Sequence, residues 1–240
     1  MKKITILVIM LLGSYTFASA DVGLRLGVAG AVGVFEAAGS EKDVGANATE
    51  TTKSSAAKDG DEILVGLGSI FVEKTLGFLP GPLSRLSVGY DWVVHDVKTG
   101  SQNRTDTDLD GAANAGDAGG NSQIVTRKAS ATISGINTLY VTANITDWLF
   151  VKAGRVEMDV KSTDSNSLDG TSTYGSASID GTVYGIGIMN ETENGFGFKL
   201  SWEQTDLDGA TLNHKTNANN SITIESVEGA TAKAAVYKAF

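Results

Sequence analysis

Four aspartates in the middle of the chain have a spacing that could bind a metal ion. Asp106, Asp108 and Asp110 alternate along the sequence, Gly111 follows them, and Asp117 is the twelfth residue counted from Asp106. This spacing matches positions 1, 3, 5 and 12 of a calcium-binding loop, in which glycine allows the sharp turn. A site of this kind would bind Ca²⁺ weakly, with a dissociation constant on the order of 10⁻⁴–10⁻³ M.

The same segment also has the composition of a solvated acidic loop tip, and three details favour that interpretation. Calcium loops end on glutamate, whereas the twelfth residue here is the shorter Asp117. Ala113 occupies the position of a packing aliphatic residue, and no helix is predicted on either side. We therefore expect no cofactor, with weak calcium binding as the alternative.

His95 and His214 are the two residues that could perform acid–base chemistry near neutral pH. Serine and aspartate are so abundant in this chain that their presence alongside a histidine carries little information. The sequence contains no phosphate-binding loop, no G-x-S-x-G motif and no H-E-x-x-H motif. We therefore predict that the protein is not an enzyme and has no catalytic residue.

The first twenty residues have the features of an export signal. Lys2 and Lys3 precede an apolar run, and Ala18–Ala20 forms a cleavage site of small residues. The run is shorter than the roughly 20 apolar residues that a spanning helix needs. The prediction is a signal peptide over 1–20 and one large domain over 21–240.

Composition limits the classes of partner and of stabilising bond. The chain has 28 acidic and 19 basic residues and a net charge of −9, so its surface repels the phosphates of nucleic acids. It has no cysteine, which excludes disulfides and thiolate metal sites. No nucleic-acid partner is expected.

Eight segments with period-two alternation follow the signal, separated by polar, glycine-rich intervals. The predicted strands lie near 22–36, 62–75, 83–97, 124–144, 148–162, 179–190, 195–206 and 221–240. The intervals alternate between long and short, and the short ones are 76–82, 145–147 and 191–194. This rhythm is typical of an up-and-down barrel with tight turns at one end and long loops at the other.

The alternation predicts one apolar and one polar face on each strand. An eight-stranded barrel has an interior that side chains just fill, so charges on the inner face would have to be paired. The charges assigned to that face are Arg25, Arg85, Asp91, Arg155, Glu157, Lys199, Glu203 and Lys233. Among them we predict that Arg155, Glu157, Lys199 and Glu203 join an ion-pair network.

Two strands break the pattern. The fifth places Lys152 on one face with Phe150, Val156 and Met158, and the fourth is interrupted at 135–137. A β-bulge could account for either break. The aromatic residues predicted to face lipid or its interface are Tyr90, Trp92, Trp148, Trp202, Phe78 and Phe150.

The chain resembles small eight-stranded outer-membrane barrels of the OmpA-like and opacity-protein type. The glycine-alternating strand at Val183–Ile188, the strand start at Trp148–Gly154 and the terminal Phe240 carry this resemblance, which covers 21–240. It implies an all-β fold, an eight-stranded antiparallel up-and-down transmembrane β-barrel. It further implies export to the periplasm and location in the bacterial outer membrane.

The expected role is structural or surface-interactive, without catalysis. The expected partners are outer-membrane lipid and the barrel-insertion machinery, which would recognise the C-terminal strand, and the expected state is a monomer. Three alternatives remain open: a narrow porin-like channel for ions or small solutes, an enzyme with a histidine at the barrel rim, and a soluble periplasmic ligand-binding barrel.

Overall fold

The computed structural model describes seven stretches of the chain, and these contain almost only β-strand. They are residues 23–43, 53–56, 62–99, 102–108, 123–166, 170–215 and 221–240. The predicted signal peptide at 1–20 lies outside them. Within these stretches, no helix is long and apolar enough to cross a membrane, and the helical segment seen is a 3₁₀ turn at Gly81–Arg85.

Twelve strands are described. In chain order they are β1 Leu24–Asp43, β2 Lys53–Ala56, β3 Glu62–Thr75, β4 Leu86–Val93, β5 Val97–Lys98, β6 Gln102–Asp108, β7 Gln123–Asn144, β8 Leu149–Asn166, β9 Gly170–Glu191, β10 Phe196–Leu207, β11 Ala210–Asn213 and β12 Ser221–Ala239. Eight of them pair antiparallel in the order β1-β3-β4-β7-β8-β9-β10-β12. Strand β12 then pairs with β1, from Arg25 opposite Ala239 to Lys42 opposite Ser221. This last pairing closes the sheet and confirms the predicted eight-stranded antiparallel barrel.

The two ends of the barrel differ. The short connections at 76–85, 145–148 and 192–195 lie at the end where the chain enters and leaves the barrel. At this end, which we call the turn end, Leu24 and Phe240 exchange two backbone hydrogen bonds of 3.3 and 2.9 Å. The opposite end, which we call the wide end, carries the longer connections.

The loops predicted at the wide end are too long, because β-strand continues into them. Strands β2, β6 and β11 lie within the intervals predicted as loops, β5 crosses the predicted end of the third strand, and β9 begins at Gly170. Most of these segments are rich in serine, threonine or charged residues. Hydrophobic alternation cannot find such strands, whereas their backbone groups still pair with the neighbouring strands.

The predicted break in the fourth strand is a β-bulge. Pairing between β7 and β8 shifts between Ser134 and Asn137, and Gly135 adopts a positive φ of 63°. The Asn137 side chain stabilises the bulge, since its Nδ2 donates to Gly135 O at 2.6 Å and its Oδ1 accepts from Tyr90 OH at 2.7 Å. No register shift occurs around Lys152, so a bulge is not the explanation there.

The outer surface of the barrel is apolar over its middle. The large apolar side chains exposed there include Leu26, Val28, Val32, Leu64, Ile70, Trp92, Val141, Val151, Tyr184, Ile186, Phe198, Leu200, Trp202 and Val236. We call this surface the outer belt.

The interior has two apolar clusters separated along the barrel axis. The wide-end cluster contains Val65, Val93, Val97, Ile136, Val156, Met158, Val160, Ile179 and Leu207. The turn-end cluster contains Ala29, Phe71, Phe150, Met189, Ala235 and Tyr237. Charged residues of the lumen lie beside the second cluster.

Inward aromatic rings lie over inward glycines of the neighbouring strand. A Cβ added to any of these glycines would lie within 2.6 Å of the ring that covers it. The cross-strand pairs are Gly27 with Phe71, Gly89 with Tyr140, Gly187 with Phe150, Gly197 with Tyr237 and Gly229 with Phe35. Rings and glycines thus fill the narrow lumen in alternation.

Candidate functional site in the barrel lumen

Charged side chains from five of the barrel strands meet inside the turn-end half of the lumen. They form three buried ion pairs, which we call the lumenal network: Glu73 with Lys199, Glu203 with Lys152, and Asp91 with Lys233. Each pair joins strands that are distant in sequence, and alternation along each strand points these side chains inward.

Glu73 is the centre of the largest group. Its side chain is only 1% exposed, and three donors reach it. Lys199 Nζ lies 2.6 Å and Tyr140 OH 3.2 Å from Glu73 Oε2, while Arg25 Nη1 lies 3.1 Å from Oε1. A buried carboxylate needs such partners, because desolvation without them would be too costly.

Arg25 extends this group to the rim at the turn end. Its Nε donates to Glu191 Oε2 at 3.0 Å, and its Nη1 donates to Thr75 Oγ1 at 3.0 Å. The hydroxyls of Thr75 and Ser87 are 3.1 Å apart and form a further hydrogen bond. The planar guanidinium therefore joins β1 to β3 and β9.

The second and third pairs lie on other walls of the lumen. Lys152 Nζ is 2.9 and 2.8 Å from the two oxygens of Glu203, and Ser201 Oγ donates to the same carboxylate at 3.0 Å. Lys233 Nζ lies 2.5 Å from Asp91 Oδ2. These short distances are typical of charge-assisted hydrogen bonds.

Aromatic rings surround the ammonium groups. Lys152 Nζ lies 4.6 Å from the centre of the Tyr140 ring, and Lys199 Nζ lies 5.3 Å from that of Phe150. The three ion pairs contain three cations and three carboxylates. Arg25 and Glu191 add one charge of each sign, so the whole group is balanced in charge. Such an arrangement of paired charges links the strands that carry them.

The predicted inward charges are partly confirmed. Arg25, Asp91, Lys199, Glu203 and Lys233 point into the lumen, as the alternation predicted. Lys199 and Glu203 do join a lumenal network, although each pairs with a residue of another strand rather than with the other.

The assignment of Arg155, Glu157 and Arg85 to the lumen is wrong. The Arg155 side chain is 72% exposed and pairs with Asp180 on the outer surface. Glu157 alternates with the buried residues Val156 and Met158 and therefore also lies on the outer side. Arg85 ends the 3₁₀ turn and donates to Ile145 O at 3.1 Å.

The error on β8 has a physical cause. Val156 and Met158 belong to the wide-end cluster, so an apolar residue on this strand points inward and a charged one points outward above the outer belt. Phe150, predicted to face lipid, lies on the same inner face of β8, is 3% exposed and belongs to the turn-end cluster. Of the other aromatic residues predicted outside, Trp92, Trp148, Trp202 and Phe78 are exposed and Tyr90 is half-buried.

Two central residues were missed by sequence reasoning, Lys152 and Glu73. Lys152 is the one charged residue on the inner face of β8 within the first ten residues of that strand. This isolated charge was the sequence signal that could have identified it. Glu73 alternates with Ser69, Phe71 and Thr75 on β3, a face that mixes polar and aromatic residues. Neither its burial nor its partners could be read without the pairing of distant strands.

The predicted metal and histidine sites lie apart from the lumen. Asp106 and Asp108 belong to β6, and Asp110 and Asp117 lie outside the described residues, so the calcium site stays a prediction. Within the described stretches, no group of three or more potential metal ligands is found.

The two histidines have structural contacts. His95 Nε2 accepts a hydrogen bond from Gly68 N at 3.0 Å, and its Nδ1 lies 3.1 Å from Asp96 O. His214 packs its ring edge against Tyr174, with ring centres 5.2 Å apart. In each case the ring helps to hold two segments of the barrel wall together.

Comparison with known proteins gives similarity of fold. No protein-family model matches the sequence, and no curated protein matches it. Among solved structures, Neisserial surface protein A covers 91% of this chain and 97% of its own length, with 11% identity and a TM-score of 0.37. The match to the outer membrane protease OmpT from Escherichia coli covers 94% of this chain and 99% of the OmpT chain, with 10% identity and a TM-score of 0.45.

A third similar structure is Ail, the attachment invasion locus protein of Yersinia pestis. It covers 86% of this chain and 98% of its own length, with 10% identity and a TM-score of 0.31. Similarity at this level does not extend to activity.

Proposed function

We propose that this protein is a bacterial outer-membrane barrel whose role is structural or surface-interactive, with lipid as the partner of its outer belt. One observation carries the proposal: over the outer belt the barrel is apolar outside, while the lumen behind it contains buried charges. Leu64 is 73% exposed and Phe196 63% exposed, whereas Glu73 is buried. Water-soluble proteins rarely expose a continuous apolar surface of this extent, and membrane barrels require one.

The boundaries of the outer belt support the same proposal. Exposed charged residues begin on several strands where the belt ends at the wide end: Glu36, Glu62, Arg155, Asp180, Asp206 and Glu228. At the turn end, the outer surface exposes the aromatic residues Phe78, Trp148, Phe196 and Phe240. Membrane barrels carry aromatic girdles of this kind at the membrane interface. The wide end would then face the medium, and the turn end the periplasm.

The packed apolar side chains in the lumen favour a structural role over transport. The wide-end cluster fills the barrel interior with packed valine, isoleucine, leucine and methionine side chains. A pore for ions or small solutes needs a continuous polar path. We expect no stable conductance steps when the folded protein is inserted into a planar bilayer.

A rim-histidine enzyme is the less favoured alternative, since the ring of His95 already accepts a backbone hydrogen bond and that of His214 packs against Tyr174. Recognition of β12 by the barrel-insertion machinery, the monomeric state and export through a cleaved signal peptide are parts of the same proposal.

Cell fractionation combined with gel mobility tests the proposal. The expected result is recovery in the outer-membrane fraction and a different mobility for unheated and boiled samples, because a closed barrel without free edges resists detergent. Recovery as a soluble periplasmic protein whose mobility does not change on boiling would contradict it.

A further inference from the structure

A small cavity lies in the middle of the lumenal network. Its volume is about 30 Å³, and its wall includes both partners of each of the three ion pairs together with Thr142 and Ala235. A cavity of this size accommodates one or two water molecules if two to four polar groups face it. The polar groups of its wall therefore decide what it can hold.

The hydroxyl of Thr142 is a buried polar group without a partner in the described structure. Thr142 is 2% exposed, and its Oγ1 has no hydrogen-bond partner. A hydroxyl offers one donor and two acceptor positions, and burial without a bond is unfavourable. This side chain lines the cavity, so a ligand there would supply the missing bond.

The ion pairs also keep unused hydrogen-bonding capacity. Lys152 Nζ donates two bonds to Glu203 and keeps a third N–H, while Lys233 Nζ donates one bond to Asp91 and keeps two. Asp91 accepts at Oδ2, and its Oδ1 accepts no bond from the described residues. The cavity wall thus offers both donors and acceptors.

Charge balance identifies the class of ligand. Three ammonium groups and three carboxylates line the cavity, so neither an anion nor a cation is favoured by net charge. The ligand must instead be small, neutral and able both to donate and to accept. We propose that one or two water molecules bind here, bonded to Thr142 and to the Asp91–Lys233 and Lys152–Glu203 pairs. These waters join separate ion pairs into one network, and the site exists in the folded barrel whatever its cellular role.

Crystallography of the detergent-folded protein tests this site. The expected result is a density peak in the cavity at about 2.7–3.0 Å from Thr142 Oγ1. In Thr142→Val, which keeps the side-chain shape but removes the hydroxyl, the peak nearest position 142 should disappear. Thr205→Val is the matched control, because Thr205 is buried in the lumen and does not line the cavity; it should leave the peak unchanged.

Two results would overturn the proposal. One is a wild-type map with no density near Thr142 Oγ1 at a resolution that reveals ordered water elsewhere in the molecule. The other is an anomalous peak in the cavity after soaking with rubidium bromide, which would identify an ion site instead. The wild-type crystals decide both questions even if Thr142→Val does not fold.

Discussion

Glu73 connects more strands than any other residue of the lumenal network. It lies on β3 and accepts hydrogen bonds from Arg25 on β1, Tyr140 on β7 and Lys199 on β10. Removing its charge would leave the buried cation Lys199 without its carboxylate partner, and Arg25 with Glu191 alone. Breaking a buried ion pair from one side is strongly destabilising, because the remaining charge is uncompensated.

We therefore expect Glu73→Gln to lower the free energy of unfolding by about 3–5 kcal/mol. Urea titration of the protein folded in lipid bilayers would measure it. Glu191→Gln is the control, because Glu191 also binds Arg25 but lies at the partly exposed rim; its effect should stay below about 1 kcal/mol.

A second variant separates lost charge balance from lost packing. Combining Glu73→Gln with Lys199→Met removes the anion and one of its cations together. The double variant should lose less stability than the sum of the two single variants, since contacting partners are coupled. Simple additivity would contradict the central position of Glu73.

At the scale of the strand, the pairing of inward rings with inward glycines sets the width of the lumen. The Tyr140 ring covers Gly89, where an added Cβ would lie 2.2 Å from the Tyr140 Cζ atom. Gly66 lies on the outer surface, and an added Cβ there would meet no atom within 4 Å. Two glycines in neighbouring strands thus have opposite steric environments.

We expect Gly89→Ala to destabilise the barrel by about 1–3 kcal/mol, because overpacking displaces the ring. Gly66→Ala should be neutral or stabilising by up to about 1 kcal/mol, because alanine restricts the unfolded chain. The free energies of unfolding of the two variants, measured in the same lipid bilayer, test this difference. Equal effects of the two substitutions would show that ring packing on Gly89 is not tight.

A row of carboxylates crosses four neighbouring strands at the wide end. Asp206 lies opposite Glu228, Glu228 opposite Glu36, and Glu36 opposite Glu62. All four are exposed and lie just beyond the outer belt. Like charges directly opposite each other on a sheet are destabilising.

Neutralising a carboxylate that has another carboxylate on each side in this row should therefore stabilise the barrel. We expect Glu36→Gln to raise the free energy of unfolding by about 0.2–1 kcal/mol in an uncharged bilayer. Added salt should reduce this gain, because exposed charges are screened. Glu193→Gln, in the exposed turn between β9 and β10, should give no comparable gain; a loss of stability in Glu36→Gln would contradict the repulsion argument.

At the scale of the whole molecule, the polarity of the lumen changes along its axis. The turn-end half contains the lumenal network, and the wide-end half contains the wide-end cluster. The outer surface changes in the opposite sense, from apolar in the outer belt to charged beyond it. Strands that cross both halves therefore carry no uniform polar face.

This change of polarity explains what the sequence could and could not predict. β10 lies mostly within the outer belt, so its alternation correctly placed Lys199 and Glu203 inside and Trp202 outside. β8 runs into the wide-end half, where Val156 points inward and Arg155 outward. The number of strands, the closed barrel and the short turns followed from local pattern, whereas the partners of Glu73 and Lys152 depend on cross-barrel distances.

Lipid contact of the outer belt is the central claim. The fluorescence of the protein's own tryptophans can test it without a dye attached to the protein. The chain has three, Trp92, Trp148 and Trp202, and all three are exposed on the barrel surface. In liposomes, bromine carried on the lipid acyl chains should quench the fluorescence of all three, measured in variants that keep one tryptophan at a time. Aqueous iodide should quench them weakly. Strong quenching by iodide together with none by brominated lipid would contradict the account.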